Sequence, residues 1–268
     1  MSKAVEKKTT NSSVANVDLN ALLKNSFDNI DAQSVSMPYF KIVAKQSDVI
    51  EPGSANYIES AKPGMILNSA LNQVFQSIRV IPSYFYVKDL EWADRESGTN
   101  RPVGSYDISE NIIAKTHKDE RGKDRLENGN YIERTAHHFV TRLDENNNVL
   151  DNGIITMSRT QYKKSQRWNT MQLAQYEEIN GKRQQLPNHA QIYTLSTTLE
   201  KNNLGTWYGW VVNYAGMAPA EAIQRSVAFR ESASRMQNVS DAGESAEVKT
   251  EAASVTASSS QGKEETPF

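Results

Sequence analysis

Five stretches of this chain are built with the two-residue period of strands, and one stretch, lying between the third and the fourth of them, changes to a period of 3.6. That order limits the chain to a mainly β architecture with a helix inserted into it. The first stretch, Val74 to Trp92 (VFQSIRVIPSYFYVKDLEW), is β-branched and aromatic, and Pro82 at its middle predicts a bulge, a bend or an edge position. A long polar excursion from Asp94 to Asn130 leads to the second, Tyr131–Leu143 (YIERTAHHFVTRL). Asp144–Asn148 turns the chain back into the third, Val149–Met157. The fourth and fifth, Gln191–Glu200 (QIYTLSTTLE) and Thr206–Tyr214 (TWYGWVVNY), are joined by the short turn KNNLG.

The helical stretch, RTQYKKSQRWNTMQLAQY, has Ser158 as its expected N-cap and runs without Gly or Pro to Tyr176, about five turns. A further helix is expected over Ala218–Met236, opened by Pro219. Strand, strand, strand, helix, strand, strand is the order of the OB-fold, a five-stranded barrel whose second and third strands, with two loops, form an oligonucleotide-binding face. A β-sandwich with a helical insertion shares that order. The expected fold is thus mainly β, an OB-fold-like five-stranded barrel with a helix between strands 3 and 4, a C-terminal helix and disordered termini.

A hydrophobic share of 38% is too low for a chain folded from end to end. Residues 1–35, polar and rich in Asn and Ser, read as a disordered arm; 36–237 read as the folded domain; 238–268 read as a disordered acidic tail. From Asp241 onward six acids face Lys249 and Lys263, a net of −4, so the whole-chain charge of −2 conceals a body of about +2. No apolar run approaches the roughly 18 residues of a membrane span, and the N-terminus lacks a secretory signal, so the expected location is the cytoplasm. The absence of cysteine excludes disulfides, thiolate metal sites and cysteine nucleophiles.

Between Asn152 and Tyr176 stand Arg159, Lys163, Lys164 and Arg167, with no acid among them. Lys163 and Arg167 are four apart, as are Lys164 and Trp168, so one side of the helix sets charge beside an aromatic ring. Cations interleaved with rings suit a single nucleic-acid strand, whose phosphates need positive charge and whose unstacked bases need flat surfaces. The competing reading is a solvated helix face with Trp168 in the core, where a large ring on a helix more often lies. Tyr84 and Tyr86 share a strand face with Lys88, whereas Phe85 points the other way and is the core candidate. Arg134 on the second strand joins the set, and Trp207 and Tyr208, just after a Gly-containing turn, are placed near a barrel mouth.

No GxxxxGK[ST], GxGxxG, GxSxG or HExxH pattern occurs, so neither an enzyme nor a cofactor is expected. His137 and His138 are neighbours on a strand and face opposite sides, which disfavours a shared metal. Asp144, Asn146 and Asn148 imitate the start of a calcium loop, but Val149 stands where Gly is required and Ile155 where the closing Glu belongs, so an ordinary turn is expected. Glu91, Asp94 and Glu96 offer magnesium ligands in principle, solvation of a polar loop being the commoner explanation.

The ending KEETPF resembles the C-terminal tip of bacterial single-stranded DNA-binding proteins, in which acids precede a Pro–Phe terminus on a flexible tail. The resemblance implies a partner-docking role for Glu264, Glu265, Pro267 and Phe268, the terminal ring entering an apolar pocket ringed by cations. The departures are two acids only near the tip and Thr266 in place of a bulky apolar residue. The body is similar to bacteriophage single-stranded DNA-binding proteins in Met37–Asp48 (MPYFKIVAKQSD), Ala61–Ser69 (AKPGMILNS), Ile78–Trp92, Thr156–Met171 (TMSRTQYKKSQRWNTM) and Thr194–Trp210. That similarity implies binding and protection of single-stranded DNA in phage replication and recombination. Polymerase, helicase or host RNA polymerase would be partners of the tail. A phage assembly protein and a metal-dependent nuclease are the alternatives weighed against it.

Overall fold

The computed structural model describes residues 36–93, 102–202 and 205–235. The chain divides into Met1–Ser36 and Met37–Phe268, and the architecture below belongs to the second unit. It is mainly β. Its strands are β1 (Phe40–Ile42), β2 (Ile66–Asn68), β3 (Gln73–Phe75), β4 (Ile78–Trp92), β5 (Gly104–Asp107), β6 (His117–Lys118), β7 (Asp124–Arg125), β8 (Tyr131–Leu143), β9 (Val149–Ser158), β10 (Tyr176–Ile179), β11 (Lys182–Gln185), β12 (Gln191–Asn202) and β13 (Gly205–Met217). Helix α1 spans Tyr162–Leu173, and residues 220–235 form α2.

The centre is an antiparallel, curled sheet in the order β13-β12-β4-β8-β9, with β5 and β7 extending the far ends of β4 and β8. Strand β12 pairs with β4 only through Tyr193–Leu195, so its outer half and the half of β13 paired with it extend beyond β4 as a hairpin arm. Among the described residues β9 and β13 do not pair, and the sheet is left open between them. Both open edges are partly covered, which guards against edge-to-edge association. Ile154 of β9 donates its N–H to the Pro38 carbonyl (2.9 Å), and the backbone N–H of Trp210 on β13 is taken by Gln161 Oε1 (2.9 Å). Gly153 permits the first contact, because a Cβ there would come within 2.8 Å of the Pro38 carbonyl and 2.5 Å of the Phe40 ring.

Pro82 lies where β4 carries a bulge, the register with β8 shifting between Pro82 and Tyr84. The extra residue, Ser83, changes which side chains face which way. Before it, Val80 joins the larger core cluster and Ile81 a separate one; after it, Phe85 and Val87 pack on the larger cluster while Tyr84 and Tyr86 pack on the opposite face. That larger cluster joins Phe40, Val80, Val140, Ile155, Tyr193 and Trp210 to Trp168, which is 0% exposed. The opposite face is covered by α2 through Ala222, Phe229 and Ala233. Ser226 of that helix meets Ser83 (2.7 Å), Ser83 meets Thr141 (3.1 Å), and Thr141 donates to Asn152 (2.8 Å). A buried hydroxyl chain therefore ties α2 to the bulge, each member satisfying another.

Several expectations change in detail. The inserted helix is 12 residues long and not five turns. Arg159 sits at φ 51°, a left-handed conformation that interrupts helix growth, and Arg159–Gln161 form a separate 3-10 turn. Ser158 makes no capping bond; its hydroxyl donates to Glu133. Tyr176, expected at the helix end, begins a hairpin whose turn, Asn180–Gly181, has both residues at positive φ (54° and 72°), the pairing that two-residue turns favour. The strand expected from Val74 is two strands, β3 and β4. Asp144 accepts the N–H groups of Asn146 and Asn148 (both 2.8 Å), an ordinary turn. The arm over residues 1–35, the tail over 238–268 with Glu264, Glu265, Pro267 and Phe268, and Asp94 and Glu96 lie outside the described residues.

Candidate functional site

The sequence singled out eleven residues of the body, and the structure separates them into three groups. Trp168 belongs to the first: it is sealed in the core, stacked on His138 (ring centroids 4.4 Å apart) and edge-on to Tyr193 (5.7 Å). It offers no face to a base. Its period along α1 points it inward, as the competing reading had it. Tyr84 and Tyr86 join it in part, half-buried against Phe139, with Tyr86 stacked on His137 at 4.6 Å.

The second group consists of cations bound to acids. Lys88 is buried, 3.3 Å from Asp107. Arg134 makes two bonds of 2.8 Å to Asp89, which is fully buried and whose negative charge holds the guanidinium protonated. Arg159 pairs with Glu133, and Lys164 with Glu200. A lysine or arginine engaged this way brings no net positive charge to a phosphate. These four are thus removed from the expected basic face by partners 26 to 45 residues away, except Lys88, whose acid is nearer.

The third group remains at the surface. Lys163 and Arg167 are exposed on α1 and make no side-chain hydrogen bond or ion pair among the described residues. Trp207 and Tyr208 are half-exposed at the tip of the β12–β13 arm. They line a cleft of about 320 Å³ together with Thr206, Ile42, Ala44, Lys45 and Gln46. Lys45 Nζ, on the facing wall, donates to Thr206 Oγ1 at 2.7 Å.

Two glycines set the shape of this tip. Gly64, at φ 89°, lies under the Tyr208 ring, and a Cβ there would come within 2.5 Å of it. The Thr197 hydroxyl donates to the Gly64 carbonyl, so the arm is fastened to the β1–β2 connection on that side. On the other side the Trp207 indole N–H donates to Glu200 Oε2 at 2.8 Å, and Glu200 in turn accepts from Lys164 of α1. Burial raises the cost of charging Glu200, but Lys164 and the indole outweigh it and hold the carboxyl below its usual range.

Away from the cleft, Glu91 and His138 have structural partners. Glu91 accepts from Tyr106 (2.5 Å), Asn128 (3.1 Å) and Asn130 (2.5 Å), and burial of Tyr106 together with its bond to Glu91 pushes that hydroxyl up to about 12. His138 Nε2 lies 2.8 Å from Ser165 Oγ, and burial lowers His138 to about 3 and His137 to about 4. The two rings do face opposite sides, one on Tyr86 and one on Trp168. No metal-holding group of His, Asp or Glu side chains and no helix long and apolar enough to cross a membrane occur among the described residues.

Lys45 was missed by the sequence reading. Its signal, a lysine directly after a short apolar run, is too common to single it out without the arm that folds over it. Curled sheet, inserted helix and an aromatic cleft walled by lysine define a mainly β protein, and comparison supplies the family. The chain belongs to the Pam3 phage gp34-like protein family, whose model matches residues 7–246. No curated protein and no solved structure matches it.

Proposed function

We propose that this phage protein binds single-stranded DNA, the strand passing over the tip of the β12–β13 arm and along the exposed side of α1. The observation that carries this reading is the cleft itself: Trp207 and Tyr208 on one wall, the Lys45 ammonium on the other. Rings half-exposed beside a cation offer a base a stacking surface and its phosphate a counter-charge, each stacked base contributing about 1–3 kcal/mol. Lys163 and Arg167 extend positive charge along the helix on which Lys164 contacts the arm. Support from the fold is topological. The pairings β4–β8, β8–β9, β4–β12 and β12–β13, with α1 between the third and fourth of these five strands, are those an OB-fold-like barrel would have if left open between its third and fifth strands.

In this reading the chain coats and protects single strands during phage replication and recombination, without catalysis. The acidic tail ending in Pro267 and Phe268 then recruits replication proteins. A role in particle assembly is the second reading, favoured by the neutralisation of Lys88, Arg134, Arg159 and Lys164 by acids. A gel shift with a labelled 40-base oligonucleotide, roughly one to several site sizes long, separates the two when run single- against double-stranded, at two salt concentrations and with magnesium. Preferential single-strand binding that weakens with salt, without cleavage, is expected; equal or absent binding of both forms sinks the DNA reading.

A further inference from the structure

Lys163 and Lys164 are adjacent on α1, and a strand-binding surface built from the sequence alone would use both. The structure treats them differently. Lys163 is exposed, whereas the Lys164 side chain is 23% exposed and its ammonium is bonded to Glu200 Oε1, itself 26% exposed. The second oxygen of the same carboxylate accepts the Trp207 indole N–H at 2.8 Å. One carboxylate thus joins the helix to the ring that walls the cleft.

The bridge also has a place made for it. It crosses β13 at Gly209, where a Cβ would stand 2.5 Å from Glu200 Oε2 and closer still to Lys164 Nζ. A residue with any side chain at that position displaces the bridge. Next to it, the Trp210 N–H bound to Gln161 Oε1 fixes the start of the helix to the same strand. Two contacts, Lys164 to Glu200 and Trp210 to Gln161, therefore hold helix and arm in register, and Glu200 carries the first of them on to Trp207.

We propose that Glu200 is a positioning residue: it withholds Lys164 from the DNA and uses it to hold the Trp207 ring in the cleft wall. This rests on the single-strand reading above. The two lysines then have opposite duties, Lys163 meeting phosphate and Lys164 supplying geometry. An indole whose N–H is engaged by a carboxylate presents only its face to a base, which matches recognition by stacking without choice of sequence.

The test uses the full chain and a 40-base oligothymidylate, with binding followed by tryptophan fluorescence over a series of salt concentrations, a length on the order of a few site sizes. Glu200→Gln keeps an acceptor for the indole and releases Lys164. Its salt slope is expected to steepen by about 0.7, which tightens binding about eightfold near 0.05 M salt. Glu200→Ala steepens the slope equally but loses part of the fluorescence change on binding, because the ring is no longer oriented. Lys164→Gln weakens binding while leaving the slope as it was. A Glu200→Gln slope equal to wild type overturns the proposal, as does a Lys164→Gln slope reduced by about 0.7, the mark of a direct phosphate contact. Wild-type protein that fails to bind takes the single-strand reading and this proposal down together; wild-type binding with either wrong slope removes the role of Glu200 alone.

Discussion

The centre of the sheet and the tip of its β12–β13 arm use the same residue types to opposite ends. At the centre, Trp168, His138 and Tyr193 stack face to face or edge to face in the buried interior. At the tip, Trp207 and Tyr208 are each fastened on one side only, to Glu200 and over Gly64, and leave the other side to the cleft. Aromatic content therefore says little about function until the pairing of strands is known. What distinguishes the half-exposed rings from the buried ones is distance from the β4–β12 pairing, which ends at Leu195 and lets the arm depart from the core.

That contrast breaks if changes at the centre alter binding first, or changes at the tip alter stability first. The largest effect is expected from Trp168→Ala, a loss of about 3–5 kcal/mol in urea unfolding, since a fully buried ring leaves a cavity. A shift of the midpoint by less than a third of that would place Trp168 outside the core. Acid comes next. His137 and His138 are neutral in the fold, with values of about 4 and about 3, but titrate near 6.5 when unfolded. The unfolded chain therefore binds more protons below pH 6.5, and stability present above that value falls as the pH drops toward 4, by about 2 kcal/mol per imidazole at pH 5. Denaturation curves at pH 7 and pH 5 check this, and replacing His138 with Gln should flatten the difference.

At the tip, Trp207→Ala is expected to weaken single-strand binding by about 1–3 kcal/mol while moving the unfolding midpoint little. A drop in stability larger than the drop in affinity would make Trp207 a second structural ring. The smallest effect is the joint change of Lys163 and Arg167 to Ala, which should lower the salt slope by about 1.4 and leave unfolding unchanged. An unaltered slope removes the helix from the strand's path.

Much of the centre was legible in the sequence. Tyr131–Leu143 is a strand at the limits expected, Pro82 does lie at a bulge, and Phe85 does turn to the larger core cluster while Tyr84 and Tyr86 turn away. Those features depend on local period, which the chain records directly. The three-stranded β1-β2-β3 sheet was not legible, because its strands are three residues long and too short to show a period. The β10–β11 hairpin was announced by Asn180–Gly181 but lies past the expected helix end at Tyr176, in a stretch given no element. The acid partners of four cations were illegible for a different reason. Arg134 meets Asp89 and Lys164 meets Glu200 across strands or between helix and arm, and no spacing rule within one element reveals such a partner.

Ser83 is the extra member of the bulge, and every side chain from Tyr84 to Trp92 takes its orientation from that single insertion. Deleting it would turn the outer half of the strand inside out, driving Lys88 toward the oily side and Phe85 into the shadow of α2. The molecule's odd-and-even bookkeeping is thus kept by a serine whose hydroxyl also anchors the last helix, so the frame of the sheet and the seating of that helix stand or fall together.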